Sequence, residues 1–380
     1  MRSLQELVTR IDHLQMLTIL LRFYKQIETA YHAADRVPLE LLPKRPQRIL
    51  ILGMGGSAIT GDILRTYAAF TAGADHVDIR VHRGYHLPPS FVDRNTLVIA
   101  SSYSGNTEET LTSFELARLR TPHLACLTSG GQLAVRAREL GIPLIPIPAG
   151  FPPRGALGFA FFALLLVLLR LGTFRKPARQ LTEQAIESTY QRLKELSELY
   201  SIPDEEQNPT ARLASQLRAR LPVIYASERL EAVGLRWRQQ IQENAKHVAF
   251  GGVVPEMNHN ELNSWFFPAG FPSRTAWLIW LQDPDDHPRI RLRIEYGYRL
   301  LVPHVPLESN TFLSTTEPFF LTRLFSLIYF GDWVSYWLAL LHRMEPMDTQ
   351  VIEDLKRSLA SHPYDPTIAT PSAAPPDSST

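Results

Sequence analysis

The sequence predicts an α/β fold with two doubly wound parallel sheets, each the middle of three αβα layers. Three observations carry that expectation. Short apolar runs alternate with helix-length amphipathic segments, the pattern of parallel strands joined by crossover helices. Two of the runs end in turns of small residues, Gly53-Met54-Gly55-Gly56-Ser57 and Ser101-Ser102-Tyr103-Ser104-Gly105-Asn106-Thr107. At 380 residues the chain exceeds one ordinary core, and a strand-helix series opens twice, near residues 49 and 222.

Taken in order, residues 1–36 have helical periodicity in two pieces, with Leu4, Leu7, Ile11 and Leu14 on one face. A proline-bearing connector, 38–46, leads to strands expected at 49–52, 78–82, 97–100, 124–128 and 144–147, the last closed by Pro148. The apolar stretch 156–169 is shorter than the roughly 20 residues a bilayer requires, and is read as a helix buried between layers. A charged helix follows at 176–200. The polar segment 203–209 is placed as the interdomain linker.

The second series opens with a strand at 222–226 and a helix at 231–246. Further strands are expected at 275–281 and 290–294, then a long apolar helix at 319–341 and a short amphipathic one at 351–359. The tail from 367 onward, rich in Pro, Ser, Ala and Thr, lacks the apolar bulk to order itself. The expected domains are an N-terminal helical segment at 1–46, a first α/β domain at 47–202, a second at 203–345, a C-terminal helix at 346–362 and a disordered tail at 363–380.

A net charge of +1 gives no reason to invoke nucleic acid or a membrane surface. Acidic residues fall early and no apolar leader core follows a basic start, so a signal peptide is not expected. One cysteine, Cys126, excludes an internal disulfide framework, fits a reducing cytosol and reads as a packed thiol.

Both small-residue turns sit where a strand hands over to a helix. Backbone N–H groups and hydroxyls converge there, and the helix N-terminus favours an anion. Two such turns in one sheet point to a phosphorylated small molecule. Gly53-x-Gly55-x-x-Ala58 also matches a loosened dinucleotide fingerprint, with Asp75 or Asp78 as the ribose acid; the alternative is therefore an NAD-dependent oxidoreductase. The second turn, with Ser102, Ser104 and Thr107, has no task in a dinucleotide site and suits a phosphate monoester.

At these residues the sequence resembles the sugar isomerase (SIS) fold. Glu243-Asn244-Ala245-Lys246 and Glu256-Met257-Asn258-His259-Asn260-Glu261 resemble the bifunctional phosphoglucose/phosphomannose isomerase family, over about residues 48–359. The resemblance implies two SIS domains, a homodimer with a shared active site in the cytoplasm, and no cofactor. It also implies interconversion of glucose 6-phosphate and mannose 6-phosphate with fructose 6-phosphate. By the same resemblance, Gly55, Gly56, Ser57, Ser102, Ser104 and Thr107 hold the sugar phosphate and Arg154 lies near the reacting carbons. Glu243 is the base, His259 assists ring opening from the partner subunit, and Thr349 and Lys356 complete the pocket.

Each residue has a plainer reading. Glu243 could be a solvated helix charge or pair with Arg236. His259 could cap a turn, Arg154 could be a loop cation, Thr349 a helix N-cap and Lys356 part of a charged face with Glu353 and Asp354. His259 with Glu261, or His82 with His86, lacks a third partner, so no metal is expected. A sugar-phosphate-binding regulator without turnover is a further alternative, which would not need Glu243, His259 and Lys356.

Overall fold

The computed structural model of the chain describes residues 3–74, 76–266 and 275–362. The N-terminal periodicity resolves into three helices rather than two: α1 (Leu4–Ile11), α2 (Met16–Leu21) and α3 (Lys25–Asp35). The extra break falls at Asp12, whose carboxylate takes the N–H groups of Met16 and Leu17 at 2.7 and 2.8 Å. A side chain that satisfies backbone donors this way starts a new helix without disturbing the apolar period.

The first sheet contains β1 (Arg48–Leu52), β2 (Asp78–His82), β3 (Leu97–Ser101), β4 (Leu124–Thr128) and β5 (Leu144–Pro146), in the order β2-β1-β3-β4-β5. All pairings are parallel. β3 and β4 are buried along their whole length, as a sheet covered on both faces requires. The connecting helices are α4 (Gly55–Ala69), α5 (Glu108–Arg118) and α6 (Gly131–Glu139). Cys126 is packed inside this sheet, where burial pushes its thiol up to about 12.

Next come α7 (Leu157–Arg170), α8 (Lys176–Tyr200) and α9 (Pro209–Leu217). The segment placed as an interdomain linker, 203–209, is a tightly closed turn. Its Asn208 is fully buried, donates to the carbonyls of Tyr200 and Ile202, and accepts from the N–H groups of Thr210 and Ala211 at the start of α9.

The second sheet contains β6 (Leu221–Ser227), β7 (Phe250–Val254), β8 (Ala276–Leu281) and β9 (Asn310–Leu313), in the order β7-β6-β8-β9 and again parallel. This repeats the first four positions of the first sheet. Its helices include α10 (Glu231–Ala245), the short α11 (Glu261–Ser264) and α12 (Pro288–Leu301). The segment 290–294, expected as a strand, is instead part of the helix α12. Pro288 occupies its first turn, His287 Nδ1 accepts from Arg289 N–H at 3.1 Å, and Ile290, Ile294 and Leu301 turn one helical face to the core. The β-branched residues concealed a helical spacing. β7 and β9 were missed. β7 carries Gly251, where a Cβ would sit 1.9 Å from the Ile224 carbonyl oxygen, so close strand approach removed the side chain that would have marked a strand.

Between the sheets runs a shared helical layer closed by α13 (Phe320–Leu341); α14 (Gln350–Ala360) follows. α13 packs on α8, α9 and α10, α7 packs on α3 and α4, and α4 touches α10. The segments Pro153–Arg170 and Phe320–Leu341 are long and apolar enough to cross a membrane by length and composition. The first is longer than the sequence reading allowed, because a helical turn at Pro153–Ala156 precedes α7. Within the fold they are 89% and 94% buried, as core helices are. The tail at 363–380 lies outside the described residues.

Candidate active site

In the order β2-β1-β3-β4-β5 the chain reverses direction across the sheet between β1 and β3, and a crevice opens at their C-terminal ends. The two small-residue turns follow those two strands. Gly55 begins α4 at φ 47°, a left-handed conformation that glycine adopts freely, and no side chain caps the helix. The N–H groups of Ser57 and Ala58 close on the Met54 carbonyl at 3.0 and 3.2 Å, which leaves those of Gly55 and Gly56 for the crevice. Ser57 ties the turns together: its Oγ accepts from Tyr103 N–H at 3.1 Å, and its carbonyl accepts from Ser101 Oγ at 3.4 Å.

The serine turn is held from within. Ser102 Oγ lies 2.9 Å from Thr107 Oγ1 and accepts from Gly105 N–H at 3.1 Å, while Ser104 Oγ accepts from Asn106 N–H at 3.2 Å. Thr107 stands at the N-cap of α5 without capping it, leaving that helix start open as well.

Gly56 brings the phosphate-type cradle against Arg154. A Cβ on Gly56 would lie 3.1 Å from the Pro153 carbonyl carbon and 3.2 Å from the Arg154 nitrogen. Arg154 is no exposed loop cation; it is 4% exposed. Its Nε donates to Asn244 Oδ1 at 2.5 Å, its Nη1 to Glu243 Oε2 at 3.3 Å, and its Nη2 to the Pro346 carbonyl at 2.8 Å. Burial lowers its pKa from the ordinary value, and the Glu243 charge opposes that shift. The turn carrying Arg154 is itself held by buried Gln26 of α3, which donates to the Gly155 carbonyl at 2.7 Å and accepts from Phe159 N–H at 3.1 Å.

Glu243 sits in the last turn of α10, part-exposed, with Arg154 as its ion-pair partner. The pairing with Arg236 considered from sequence does not form. Arg236 is buried and donates to both oxygens of Asp332, at 3.0 and 2.8 Å, and its Nη2 also donates to the Arg154 carbonyl at 3.0 Å. Asn244 passes the arrangement on, donating to Ser335 Oγ at 2.9 Å. A cationic guanidinium, a carboxylate beside it and an anion cradle one residue away can bind a phosphorylated substrate and move a proton next to fixed positive charge.

Three sequence candidates are not gathered here. His259 ends the helical turn Glu256–His259 beyond β7, is exposed, and its side chain has no hydrogen-bond or ion-pair partner among the described residues. Thr349 stands at the N-cap of α14 but its side chain makes no cap bond. Lys356 pairs with Glu353 at 2.7 Å, on a helix with no buried residue.

Asp78, offered as a ribose acid, begins β2 and pairs with Arg80. That is the end of the strand opposite the crevice, so it cannot serve a dinucleotide bound there; Asp75 lies outside the described residues. No group of three or more His, Cys, Asp or Glu is clustered to hold a metal among the described residues. Sequence reasoning gave no role to Asn244, Lys246 or Asp332. The first two lie in the same motif as Glu243, which was the available signal; the Asp332 pairing had none.

Comparison with known proteins bears on this arrangement. Residues 206–359 match the family model described as bacterial phospho-glucose isomerase C-terminal SIS domain. The bifunctional phosphoglucose/phosphomannose isomerase of Caldicellulosiruptor bescii is 37% identical over 339 residues, covering 88% of this chain and 96% of that protein. The protein of the same name from Aquifex aeolicus is 33% identical over 346 residues, covering 90% and 97%. The C-terminal domain of glucosamine-fructose-6-phosphate aminotransferase from Francisella tularensis superposes with a TM-score of 0.65 at 14% identity, covering 86% of this chain and 96% of that one, a likeness of fold. Two parallel sheets in three-layer packing, the first with both small-residue turns at its switch point, together with the match to the SIS family model, define this as a protein of SIS type. The chain belongs to the bifunctional phosphoglucose/phosphomannose isomerase family.

Proposed function

We propose that this protein is an aldose-ketose isomerase that interconverts glucose 6-phosphate and mannose 6-phosphate with fructose 6-phosphate. The observation that carries the reading is the contact of Gly56 with Pro153-Arg154, which joins the anion cradle to the Arg154–Glu243 pair. The phosphate is bound at Gly55, Gly56, Ser57, Ser102, Ser104 and Thr107. The reacting carbons then lie over Arg154 and Glu243.

From fructose 6-phosphate, Glu243 removes a proton from C1 and returns it to C2, as a single carboxylate reaching adjacent carbons can. Arg154 stabilises the enediolate formed between the two transfers. His259 gives and takes protons in opening the ring. The enediol has lost its configuration at C2, so rotation about C2–C3 presents either face to the same base. Thr349 is small enough to leave that room, and Lys356 closes the pocket beside it. No step requires a cofactor.

The protein acts as a cytoplasmic homodimer whose subunits share active sites, in the sugar phosphate interconversions of glycolysis and gluconeogenesis. Support comes from α14, where Val351, Leu355 and Leu359 are 82%, 61% and 47% exposed and follow one another at helical spacing on one face. A second copy covering that face would bring α14 and the exposed His259 into a composite pocket.

The test follows fructose 6-phosphate in heavy water by NMR, with wild type beside Glu243→Gln. The reading expects both aldose products to carry deuterium at C2 and the variant to lose turnover. Retention of the original hydrogen would indicate hydride shift and remove Glu243 as base. Tight binding without turnover would make the protein a regulator, and nicotinamide binding would revive the oxidoreductase.

A further inference from the structure

Lys246 follows the last residue of α10 with a left-handed backbone, φ 51° and ψ 35°, while its N–H still closes on the Ile241 carbonyl. That conformation is uncommon for a side-chain-bearing residue away from Gly and Asn. Its Nζ reaches three carbonyl oxygens: Asn244 at 3.0 Å, Glu345 at 2.6 Å and Pro346 at 3.3 Å. An ammonium has three donors and no acceptor, and here each donor has a carbonyl. The Pro346 carbonyl is the one that also accepts from Arg154 Nη2.

The segment so gripped is a strap. Upstream, the Glu345 carboxylate accepts from the N–H groups of His13 and Leu14 at 2.8 and 3.3 Å and from Met347 N–H at 3.2 Å. Downstream, Asp348 Oδ1 accepts from Gln350 N–H at 3.0 Å, and α14 begins. The strap therefore links the N-terminal helices, the catalytic guanidinium and the helix bearing Thr349 and Lys356.

We propose that Lys246 is a positioning residue for the isomerisation, holding the 345–348 strap so that Arg154 and the start of α14 keep their places about the substrate. The catalytic part of this proposal rests on the isomerase reading; the strap itself does not. Arg154, Asp348, Glu345 and Glu243 are the charges that face the ammonium, and Arg218, His342 and Arg343 share its surface groove. Although the residue as a whole is exposed, desolvation of the ammonium, followed by the charge of Arg154, lowers its pKa to about 8. Losing that proton removes a donor and the charge, and the grip loosens.

The experiment compares wild type, Lys246→Met and Lys246→Arg for kcat and KM with fructose 6-phosphate across pH 6–10, and for hydrogen exchange of residues 343–356. The Met variant should lose roughly tenfold in kcat with KM within about threefold, and its strap should exchange faster while α10 does not. The Arg variant should recover most of the kcat. Wild type should lose kcat as pH rises through about 8, and that alkaline limb should disappear in Lys246→Arg, whose guanidinium stays charged. A Met variant within about twofold of wild type, or an Arg variant with the same alkaline limb as wild type, would overturn the proposal. If wild type itself does not isomerise, the isomerase reading fails. Strap exchange then decides alone: faster in the Met variant upholds the grip, and unchanged refutes it.

Discussion

Gly56→Ala tests the join between the anion cradle and Arg154 with one added methyl group. The position is helical and carries no positive φ, so the change gains helix propensity of about 1 kcal/mol. Against that, the new Cβ would meet backbone atoms at 3.1–3.2 Å, where carbon contacts ordinarily settle at about 3.5–4.0 Å. The neighbour is the Pro153–Arg154 backbone, which cannot rotate away as a flexible side chain could. Overpacking of this kind costs about 1–3 kcal/mol, leaving a net loss of roughly 0–2 kcal/mol in stability.

The start of α4 and the Arg154 turn must separate by a few tenths of an ångström to restore ordinary contact. A phosphate held by the cradle moves with α4, while Arg154 stays with Asn244, Glu243 and Pro346. The reacting carbons are thereby displaced from the guanidinium and carboxylate. Displacements on that scale lower kcat by about 10–100-fold. Binding of inorganic phosphate, which reports on the cradle alone, should change by less than about threefold. Steady-state kinetics, phosphate titration and a thermal melt read the three quantities separately. A variant with kcat within about twofold of wild type would refute the reasoning, and so would a kcat loss matched by equal loss of phosphate affinity.

Asp332→Asn leaves the Arg236 charge buried without its counter-ion, and should cost about 3–5 kcal/mol in urea unfolding; a loss under about 1 kcal/mol would count against it. Because Arg236 also donates to the Arg154 carbonyl, activity should fall in the same variant under conditions where it is fully folded. Leu355→Glu should dissociate the proposed dimer in light scattering and abolish turnover together; a monomeric wild type would sink that reading. Lys246 also makes a prediction about stability, with a sign opposite to its effect on catalysis. Its pKa in the fold, about 8, lies below the ordinary 10.5, so between those values the unfolded chain holds more protons. Its contribution to stability should therefore rise with pH in that window, seen as a growing stability difference between wild type and Lys246→Met; a shrinking difference would contradict it.

Most of the fold was written in local pattern. Strands at Asp78–His82 and Leu124–Thr128 and the helix Lys176–Tyr200 coincide with the sequence reading, because each is a bounded run whose period or composition is its own. The two small-residue turns were legible for the same reason: small residues directly after an apolar run can be recognised without knowing what lies opposite. Where the sequence misled, a neighbour had changed the local signal. Gly251 gave up its side chain to a strand alongside, and Ile290 and Ile294 were counted as strand residues although they share a helical face.

What the sequence determined by itself was the class of fold, the place of the two small-residue turns at the ends of β1 and β3 and, through the Glu243 motif, the family. What only tertiary structure decided was who stands beside whom. Arg154 and Glu243 lie 89 positions apart and meet at 3.3 Å, and Arg236 takes Asp332, 96 positions away, in preference to Glu243, which lies two helical turns along the same helix. A buried charge must find its partner wherever the fold puts one, so such pairings follow from burial and from the shared helical layer. The apolar periodicity that builds that layer constrains the faces of α4, α10 and α13; the polar residues at their ends are positioned by the packing that results.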